Sequence, residues 1–589
     1  MEKNNNKYLD TLRHSAAHLL AKAVLELWPG THNAIGPAIE NGFYQDFDMG
    51  STKISESDLP KIEEKMREIL PSWNHFEFQE VSLEQAKKIF KENPYKVELA
   101  KEFAKDGKAL KTNNPGNFLD LCKMGHVDYP SKELKYFKLL SIAGAYWRGN
   151  EKNKMLTRIY GTCFPTKDEL DTYLWQQEEA KKRDHKKIGK ALELFLFSPT
   201  VGPGLPIFMP KGEILRRIIE DYLVKLKESY GLQFVWTPHI ARTELYKQSK
   251  HWHKYDAMMP PLKVEEDEYT LKPMNCPHHF QIYLEKPRSY RDLPLRLAEN
   301  STVYRYEKSG VLNGLFRVRS VTQDDSHWFV KYEEVQQEID RAISLTKEVY
   351  DAFGLKNFRA RISVRDKSHL EKYLGEGTVW DNAEKELEDA VNSRKIPYEI
   401  GTGEAAFYGP KIDFLVKDSL SREWQLTTIQ LDFNQPENFD LNYTDADGGQ
   451  KRPAILHIAI IGATERFLAI LIEHYAGKFP LWISPVQVKI IPIADRHNST
   501  ALAVFKKLRE ENIRVELDSR SESMQSKIRD ASLQKIPFTV IIGDKEQESS
   551  DINTNTYVVT VRERSGENRQ NVALSAFLEE LKTQIEKKL

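Results

Sequence analysis

The chain is too long to fold around a single hydrophobic core, and this constrains its architecture more than any motif does. Its 589 residues correspond to about three or four domains of ordinary size. Hydrophobic residues make up 40% of the chain and charged residues 29%, a composition typical of folded globular domains. We therefore expect several cores joined by connecting segments.

The charge balance and the cysteine count exclude some classes of protein. The net charge is -1, from 86 basic and 87 acidic residues, so overall charge neither indicates nor excludes a nucleic-acid partner. Cys122, Cys163 and Cys276 are too few for a disulfide framework, which indicates a reducing compartment. The polar N-terminus is unlike a secretory signal, and charged residues interrupt the apolar stretch 453–477. The sequence therefore predicts a soluble, cytoplasmic protein.

Helical spacing appears in three segments. Residues 10–24 predict a helix with Asp10 as its N-cap, and residues 212–230 predict a second one closed by Gly231. Residues 166–190 predict one charged connecting helix that ends in KKRDHKKIGK. This basic decamer is interpreted either as a solvated helix face or as a contact to a phosphate backbone.

Two strands with a turn-rich loop between them are predicted over 295–331. Alternation would place Arg305 and Glu307 on one strand face, and Arg317 and Arg319 on one face of the next strand. Several guanidinium groups on neighbouring strands suit phosphate binding. A solvent-facing, salt-bridged sheet is the alternative.

Beyond residue 485 the pattern changes to apolar strands that alternate with helical stretches at 501–511 and 523–535. This alternation predicts a separate α/β domain with a parallel sheet. The segment 401–411, GTGEAAFYGPK, fits a loose dinucleotide fingerprint. We reject that interpretation because its Gly-Pro pair would end the helix that such a loop must open.

Histidines and cysteines fall into two sets. His14 and His18 lie one helical turn apart, and the motif DLCKMGH supplies Asp120, Cys122 and His126. The glutamate of the H-E-x-x-H motif is absent, which argues against a metalloprotease. The set could close a metal site, form a metal-free pocket in which a histidine activates water, or be two unrelated patches.

Three further residues are ambiguous from the sequence alone. Cys276, in LKPMNCPHHF, could be a core residue, a nucleophile or a metal ligand, and His457 lies in an apolar strand typical of core. Arg466 lies early in the following helix. A cation there opposes the helix dipole, so its position favours a bound anion.

Many short motifs together resemble one family. They are TPHI, LKPMNCP, VYRYEKSG, TQDDSH, FYGPKIDF, QLDF, ERF, FKLLSIAGAYWRG, RIYGT, LQKIP and GDKE. From about residue 10 onwards the chain resembles the bacterial threonyl-tRNA synthetases, a family of class II aminoacyl-tRNA synthetases. The resemblance implies a multidomain α+β and α/β protein with an antiparallel-sheet catalytic domain. We expect the small N-terminal ubiquitin-like domain of the family to be absent.

The resemblance also implies domain boundaries and an activity. The expected segments are an α+β editing domain (1–165), a charged linker helix (166–190), the catalytic domain (191–484) and an α/β anticodon-binding domain (485–589). The implied reaction activates L-threonine with ATP to threonyl-adenylate and transfers it to tRNA(Thr), with hydrolytic editing of seryl-tRNA(Thr). The implied cofactors are one Zn2+ per subunit and Mg2+ with ATP, in a homodimer formed through class II motif 1. A trans-editing hydrolase or an RNA-binding regulator without aminoacylation is the alternative.

Residue roles follow from the resemblance in the same way. Cys276, His327 and His457 match zinc ligands. Arg305 matches the residue that holds the ATP α-phosphate, and Arg317 and Arg466 match residues on the γ-phosphate side. The other expected catalytic-site residues are Glu307 at the adenine amino group, Asp325 and Tyr408 at threonine, Gln323, Lys411, Gln425 and Gln430 along the site, and His251 near the tRNA ribose. The expected editing residues are His14, His18, Lys96, Asp120, Cys122 and His126, and the expected anticodon-reading residues are Glu546 and Arg562.

The chain departs from the family pattern at several positions. The family usually has Gly at His278 and at Thr427, Arg at Ile458, and Gly-Phe at Ser320-Val321. That phenylalanine stacks on adenine, so Val321 is expected to change ATP binding. A second, hydrolytic site is still expected, because one methyl group separates serine from threonine and is worth only about 1–3 kcal/mol of discrimination.

Overall fold

The computed structural model describes residues 2–122 and 125–589. The chain divides into two compact units, Met1–Glu178 and Glu179–Leu589. The proposed boundaries at 165, 190 and 484 are finer than this division and stay predictions.

The first unit is a layer of helices on an antiparallel sheet. Its helices are α1 (Glu2–Leu27), α2 (Leu59–Ile69), α3 (Leu83–Ile89), α4 (Pro94–Lys105), α5 (Pro130–Glu133) and α6 (Lys167–Arg183), the last of which continues into the second unit. Its strands are β1 (His32–Asn33), β2 (Ala38–Ile39), β3 (Gly42–Asp48), β4 (Glu77–Val81), β5 (Leu110–Asn114), β6 (Asp120–Leu121), β7 (Tyr136–Tyr146) and β8 (Met155–Phe164). The main sheet has the order β1-β3-β8-β7, and β4-β5-β6 form a smaller one. Apolar residues of α1 and α2 are buried with those of the main sheet in one core.

The predicted helix over 10–24 is confirmed, but its start is not. The helix α1 already runs from Glu2, so Asp10 lies inside it and is not its N-cap. The apolar positions that gave the prediction are buried, among them Leu12, Leu19 and Leu20.

The second unit contains a large sheet and a C-terminal sheet. Its helices are α7 (His185–Ala191), α8 (Pro210–Ser229), α9 (Thr243–Gln248), α10 (His251–Lys254), α11 (Cys276–Leu284), α12 (Val335–Ala352), α13 (Gly377–Ser393), α14 (Gln435–Asn438), α15 (Thr464–His474), α16 (Asn498–Glu510), α17 (Met524–Leu533), α18 (Asp544–Glu548) and α19 (Leu574–Glu586). Its strands are β9 (Phe195–Phe197), β10 (Pro206–Phe208), β11 (Gln233–Phe234), β12 (Ile240–Arg242), β13 (Leu262–Val264), β14 (Asp267–Leu271), β15 (Leu295–Tyr304), β16 (Ser320–Val330), β17 (Phe358–Val364), β18 (Tyr398–Thr402), β19 (Lys411–Lys417), β20 (Glu423–Asp432), β21 (Tyr443–Thr444), β22 (Gln450–Lys451), β23 (Ala454–Ala463), β24 (Val488–Pro492), β25 (Val515–Leu517), β26 (Phe538–Ile542), β27 (Val558–Glu563) and β28 (Asn568–Ala573).

The large sheet has the order β11-β15-β16-β23-β20-β19-β17-β18. Its inner strands pair antiparallel, and only the outer pairs β11–β15 and β17–β18 are parallel. Helices α8, α12 and α15 bury their apolar faces against one side of this sheet. The helix α11 packs in a separate cluster with β15 and β16, so the two sheet faces have different partners.

Three predictions need correction. The predicted single helix over 166–190 is two helices, because Asp184 interrupts it and its carboxylate accepts the Lys186 N–H at 2.7 Å as an N-cap. The two strands predicted over 295–331 exist, but β15 ends at Tyr304 and β16 begins at Ser320. Arg305, Glu307, Arg317 and Arg319 therefore lie in the connecting loop, and strand alternation does not govern them.

The C-terminal sheet is the third correction. Its order is β25-β24-β26-β27-β28. The strands β24, β25 and β26 are parallel as predicted, but β27 and β28 extend the sheet in the antiparallel sense. The predicted helices at 501–511 and 523–535 correspond to α16 and α17. The segment 401–411 forms no helix, in agreement with the rejected dinucleotide fingerprint.

Candidate active sites

Strand register brings distant residues into one row across the large sheet. His327 on β16 pairs with His457 on β23, and His457 pairs with Gln430 on β20. Gln430 pairs in turn with Lys411 on β19. Directly paired residues point to the same face of a sheet, so these side chains lie side by side although up to 130 residues separate neighbours in the row.

Cys276 reaches this row from the first position of α11. A ligand atom from each of Cys276, His327 and His457 lies within 4.8 Å of the other two, and all three residues are buried. The preceding residue, Asn275, donates from Nδ2 to Oδ2 of Asp325 at 3.0 Å. The helix start and the sheet thus place one thiol and two imidazoles around a common point.

Both histidines of this cluster have an outer partner. Nε2 of His457 lies 2.9 Å from Oδ2 of Asp432. Nδ1 of His327 lies 2.8 Å from Nδ1 of His279, whose Nε2 lies 3.3 Å from Glu299. Metal-bound histidines usually have such a partner on the second ring nitrogen. This arrangement leaves Nδ1 of His457 and Nε2 of His327 for an ion.

Burial is the main influence on the pKa values of this cluster. Burial, together with Asp325 and Asp432, raises the pKa of the Cys276 thiol well above its ordinary value. Burial also lowers the pKa of His327 well below its ordinary value. The donor set therefore fits zinc, which takes thiolate and neutral imidazole, and three protein ligands leave a position open for substrate.

A cavity of about 370 Å³ lies over the cluster. Nine of the predicted residues line it: Cys276, His327, His457, Arg305, Gln323, Asp325, Tyr408, Gln430 and His251. Glu307, Arg317, Lys411, Gln425 and Arg466 are not among its lining residues. The predicted set is therefore divided between the cavity wall and its surroundings.

The residues outside the cavity wall already have partners, with one exception. Arg317 Nε donates to Glu307 at 2.9 Å, so the carboxylate expected at adenine is paired with a guanidinium. Lys411 and Gln425 both contact Asp413, at 2.7 Å each. The exception is Arg466, whose Nε has no hydrogen-bond partner and whose pKa is lowered by burial. Arg305 on the cavity wall also has a buried Nε without a partner.

The two aspartates of TQDDSH have different roles. Asp324 accepts the backbone N–H groups of Ile460 and Ile461 at 2.9 and 2.8 Å and pairs with Lys227 beneath the sheet. Asp325 lines the cavity, and burial raises its pKa. Alternation along β16 separates them, so only the second aspartate faces the site.

The departures from the family pattern are accommodated locally. Thr427 bonds the hydroxyl of Tyr350 at 2.6 Å, and Ile458 is part of the buried core. Val321 packs in a small apolar cluster. His278 is buried, and neither of its ring nitrogens has a partner.

The second cluster lies in the first unit and is built differently. His14 and His18 share a face of α1, as predicted, and Cys122 follows β6. The Cys122 Sγ lies 3.0 Å from His14 Nε2 and 3.2 Å from His126 Nε2. Within the motif DLCKMGH, residues 123 and 124 lie outside the described residues. Zinc with bond lengths of about 2.3 and 2.0 Å would hold sulfur and nitrogen about 3.5 Å apart, so these shorter contacts indicate direct hydrogen bonds.

Asp120 connects this cluster to a buried lysine. Its carboxylate lies 3.1 Å from His18 Nδ1 and 2.7 Å from Lys96 Nζ, and Asn33 donates to it at 3.1 Å. Burial would lower the pKa of His18, but its bonds to Asp120 and Cys122 raise it to about 9. The same histidine is therefore held in its charged form.

In the second cluster, the negative charge of the Cys122 thiolate and the positive charge of His18 stabilise each other. Burial would raise the pKa of Cys122, but hydrogen bonds from His126, His14 and His18 lower it to about 3. Burial lowers the pKa of His126 to about 4, which keeps that imidazole neutral. A thiolate beside an imidazolium and a neutral imidazole can activate water without a metal.

The residues expected to read the anticodon are already hydrogen bonded. Glu546 accepts the Gly543 N–H at 2.9 Å and the Thr560 hydroxyl at 2.6 Å. Arg562 donates to Gly566 O at 2.8 Å and to Asn568 at 3.0 Å. Reading a base through these groups would replace bonds that the chain itself makes.

Three residues that support the first cluster were not predicted: His279, Glu299 and Asp432. His279 lies in LKPMNCPHHF and Asp432 lies in QLDF, but the sequence assigned neither residue a role, and Glu299 belongs to no motif named above. The sequence signal for Asp432 is its place in QLDF, two residues after Gln430. Only the fold shows that it lies behind His457.

Two family profiles match the second unit. Residues 261–475 match the class II core domain of the tRNA synthetases for G, H, P, S and T, and residues 487–584 match an anticodon binding domain. In the described part of the chain, no helix has the length and apolarity needed to cross a membrane.

Curated relatives match almost the whole chain. A threonine–tRNA ligase of Rubrobacter xylanophilus is 48% identical over 579 residues, which is 98% of this chain and 89% of that protein. One from Deinococcus radiodurans is 48% identical over 574 residues, 96% and 87% of the two chains. Among solved structures, the RNA binding domain of threonyl-tRNA synthetase from Cryptosporidium parvum is similar with a TM-score of 0.64 at 33% identity, covering 68% of this chain and 98% of that one.

Proposed function

Because the chain belongs to the threonine–tRNA ligase family of class II aminoacyl-tRNA synthetases, we propose that it activates L-threonine with ATP and transfers it to tRNA(Thr). The observation that carries this proposal is the cavity lined by Cys276, His327 and His457 and by Arg305, whose buried Nε has no hydrogen-bond partner. One wall offers ligands for a cation, and another offers a free cation for a phosphate.

In this proposal each residue of the cavity acts on a separate part of the substrates. Arg305 neutralises the α-phosphate of ATP, and Arg466 a distal phosphate, while Mg2+ bound with ATP shares the negative charge. Asp325, oriented by Asn275, accepts a hydrogen bond from the amino group of threonine. The threonine carboxylate then attacks the α-phosphate in line, and diphosphate leaves. Zinc held by Cys276, His327 and His457 would take the amine and the hydroxyl of threonine as further ligands, and valine lacks that hydroxyl.

We propose that the cluster in the first unit hydrolyses mischarged seryl-tRNA(Thr). The support is the thiolate of Cys122 beside His14 and His126, with His18 held charged by Asp120. The neutral imidazole of His126 accepts the proton of a water molecule, and the adjacent charged groups stabilise the ester oxygen as it becomes negative.

The remaining parts of the proposal concern partners. We place the reaction in the cytoplasm. We also propose a homodimer formed through class II motif 1, the helix and strand that end at Pro238. Trp236 lies in this segment, and the small sheet that follows it contains Ile240, Leu262 and Val264; all four side chains are exposed and apolar. Sedimentation analysis should show a dimer at micromolar concentration, and a monomer at all concentrations would contradict this part.

Threonine-dependent ATP–diphosphate exchange tests the central proposal. Wild type should exchange with threonine and not with valine. Arg305→Ala should lose about 100-fold or more, as expected when a preorganised charge on the transferring group is removed. Arg359→Ala is the matched control, because Arg359 is held by Glu399 and Glu423 and does not line the cavity. Seryl-tRNA hydrolysis without any exchange would instead favour the trans-editing hydrolase.

A further inference from the structure

We propose that His185 is a positioning residue that holds the loop between β15 and β16 in its ATP-binding shape. This inference rests on the proposed function, because it assigns the loop that contains Arg305 and Arg317 to ATP. His185 is the first residue of α7, far from this loop in sequence. It touches neither the cavity wall nor any residue to which we assign substrate contact.

The contacts of His185 join the loop to the end of α15. The backbone N–H of Leu315, at the tip of the loop, donates to His185 Nε2 at 3.1 Å. On the other side of the ring, Nδ1 lies 2.7 Å from Glu473 Oε1, which also accepts the His185 backbone N–H at 3.0 Å. Glu473 is in turn paired with Arg422 at 2.7 Å. The imidazole is thus a bridge between two elements that frame the site.

These partners fix the protonation of the ring. A backbone N–H can only donate, so Nε2 must be the unprotonated acceptor. The proton therefore sits on Nδ1 and is donated to the Glu473 carboxylate. With both nitrogens engaged, neither is left for an ion, although Asp184, His185 and Glu473 lie close enough to suggest a metal site.

The loop is shaped to receive this ring. Gly314 has a φ of +49°, and a Cβ at this position would lie 2.2 Å from His185 Nε2. Phe316 packs edge-on against the imidazole with ring centroids 4.5 Å apart, and its other contact is a stack on Trp424. The Asn313 and Arg317 backbones are bridged around this tip. The same tight turn therefore sets the direction of Arg317 and its pairing with Glu307.

Two substitutions at His185 distinguish the effect of its hydrogen bonds from the effect of its packing. The amide of asparagine reaches the position of Nδ1, so His185→Asn can keep the bond to Glu473 but leaves the Leu315 N–H without an acceptor. Glutamine reaches the position of Nε2, so His185→Gln can restore that acceptor. An unsatisfied buried N–H costs enough to change an equilibrium by about 5- to 100-fold.

The measurement is threonine-dependent exchange with the full chain, with KM determined separately for ATP and for threonine. We expect His185→Asn to raise the KM for ATP by about 5- to 100-fold and to leave the KM for threonine within about twofold of wild type. His185→Gln should recover most of the loss. Equal KM values for ATP in wild type and His185→Asn, or a parallel rise in the KM for threonine, would overturn the inference.

A second variant and a control variant distinguish the loss of this bridge from a general loss of folding. Gly314→Ala pushes the loop away from an intact His185, and it should raise the KM for ATP in the same way.

His497→Asn is the matched control. His497 also accepts a backbone N–H, from Ala494 at 3.1 Å, and bonds Asp544 at 2.9 Å, but it belongs to the C-terminal sheet region. It should leave both KM values unchanged. If wild type itself shows no exchange, the proposed function fails; if wild type exchanges and neither loop variant changes the KM for ATP, only the role of His185 fails.

Discussion

The chain contains two clusters of one cysteine with several histidines, and they differ in what balances the charge of the thiol. Around Cys276, burial together with Asp325 and Asp432 raises the pKa of the thiol well above its ordinary value. Around Cys122 the imidazoles bond the sulfur directly, and they lower its pKa to about 3 against the effect of burial. The same residue types therefore produce one cluster whose thiol has a raised pKa and one whose thiol has a lowered pKa.

The outer partners of the histidines show the same difference. His327 and His457 are each backed by an acceptor, which orients a free nitrogen toward the common point. His18 instead uses its nitrogen to bond Asp120, which a buried lysine also contacts. In the first cluster, His279 and Asp432 each bond one ring nitrogen and leave the other free. In the second cluster, the carboxylate of Asp120 keeps His18 in its charged form.

The largest expected effect tests whether only one cluster holds zinc. Cys276→Ser should lose bound zinc and reduce threonine activation by more than about 100-fold, because losing a ligand should cost more than the loss of an outer partner. Metal analysis and ATP–diphosphate exchange measure both quantities. Cys122→Ser is the matched control and should keep one zinc per chain and full exchange. Two zinc ions per wild-type chain would break the comparison.

The second prediction removes the lysine behind the first-unit cluster. Lys96→Met leaves Asp120 without its buried counter-charge, and we expect seryl-tRNA(Thr) hydrolysis to fall by about 100-fold, as for loss of a general acid–base group. Threonine activation should not change. Lys154→Met is the control, since its pair with Asp48 is more exposed and lies in the same unit. Equal losses in both variants would show that Lys96 has no special role.

A third change sharpens the distinction between the outer partners. Asp432→Asn should weaken zinc binding by about 10- to 100-fold, the usual effect of losing a partner behind a ligating histidine. Competition with a chelator measures this affinity. Asp120→Asn should leave zinc affinity unaltered, because we propose that its cluster holds no ion. An unchanged affinity in Asp432→Asn would mean that His457 is not oriented through Asp432.

The smallest expected effect is a dependence on pH in the first unit. The folded pKa of His18 is raised to about 9 from an ordinary value of 6.5. Its stabilisation is therefore fully present below about pH 6.5 and is lost as the pH rises through about 9. Hydrogen exchange of α1, corrected for the intrinsic rate, should show less protection at pH 10 than at pH 7 in wild type. His18→Gln should show no such step, and an identical step in both proteins would contradict the assignment.

Local patterns in the sequence predicted several elements, but often not their limits. Apolar spacing predicted the helices corresponding to α1, α8 and α16, since burying an amphipathic face depends on a short-range period. Apolar spacing did not predict the break between α6 and α7, because the N-cap Asp184 is only one of several charged residues in KKRDHKKIGK. It also extended strand alternation into the loop that holds Arg305, where turn geometry takes over.

Local patterns were even less able to assign roles to the residues of the candidate sites. Cys276 alone suggested a core residue, a nucleophile or a ligand, and only the family resemblance paired it with His327 and His457. Nothing in the periodicity of the chain distinguished Asp324 from Asp325, although one supports the sheet from below and the other lines the cavity.

The sequence by itself determined the multidomain architecture, several of the helices and strands and, through ordered motifs, the family. These features depend on local periodicity and on residue identity. Only the tertiary structure decided which ring nitrogens of His327 and His457 are free. It also decided that His279 and Asp432 bond their other nitrogens and that His185 bonds the loop at Leu315. Strand register and helix packing fix such contacts between residues far apart in the chain, and no short-range pattern encodes them.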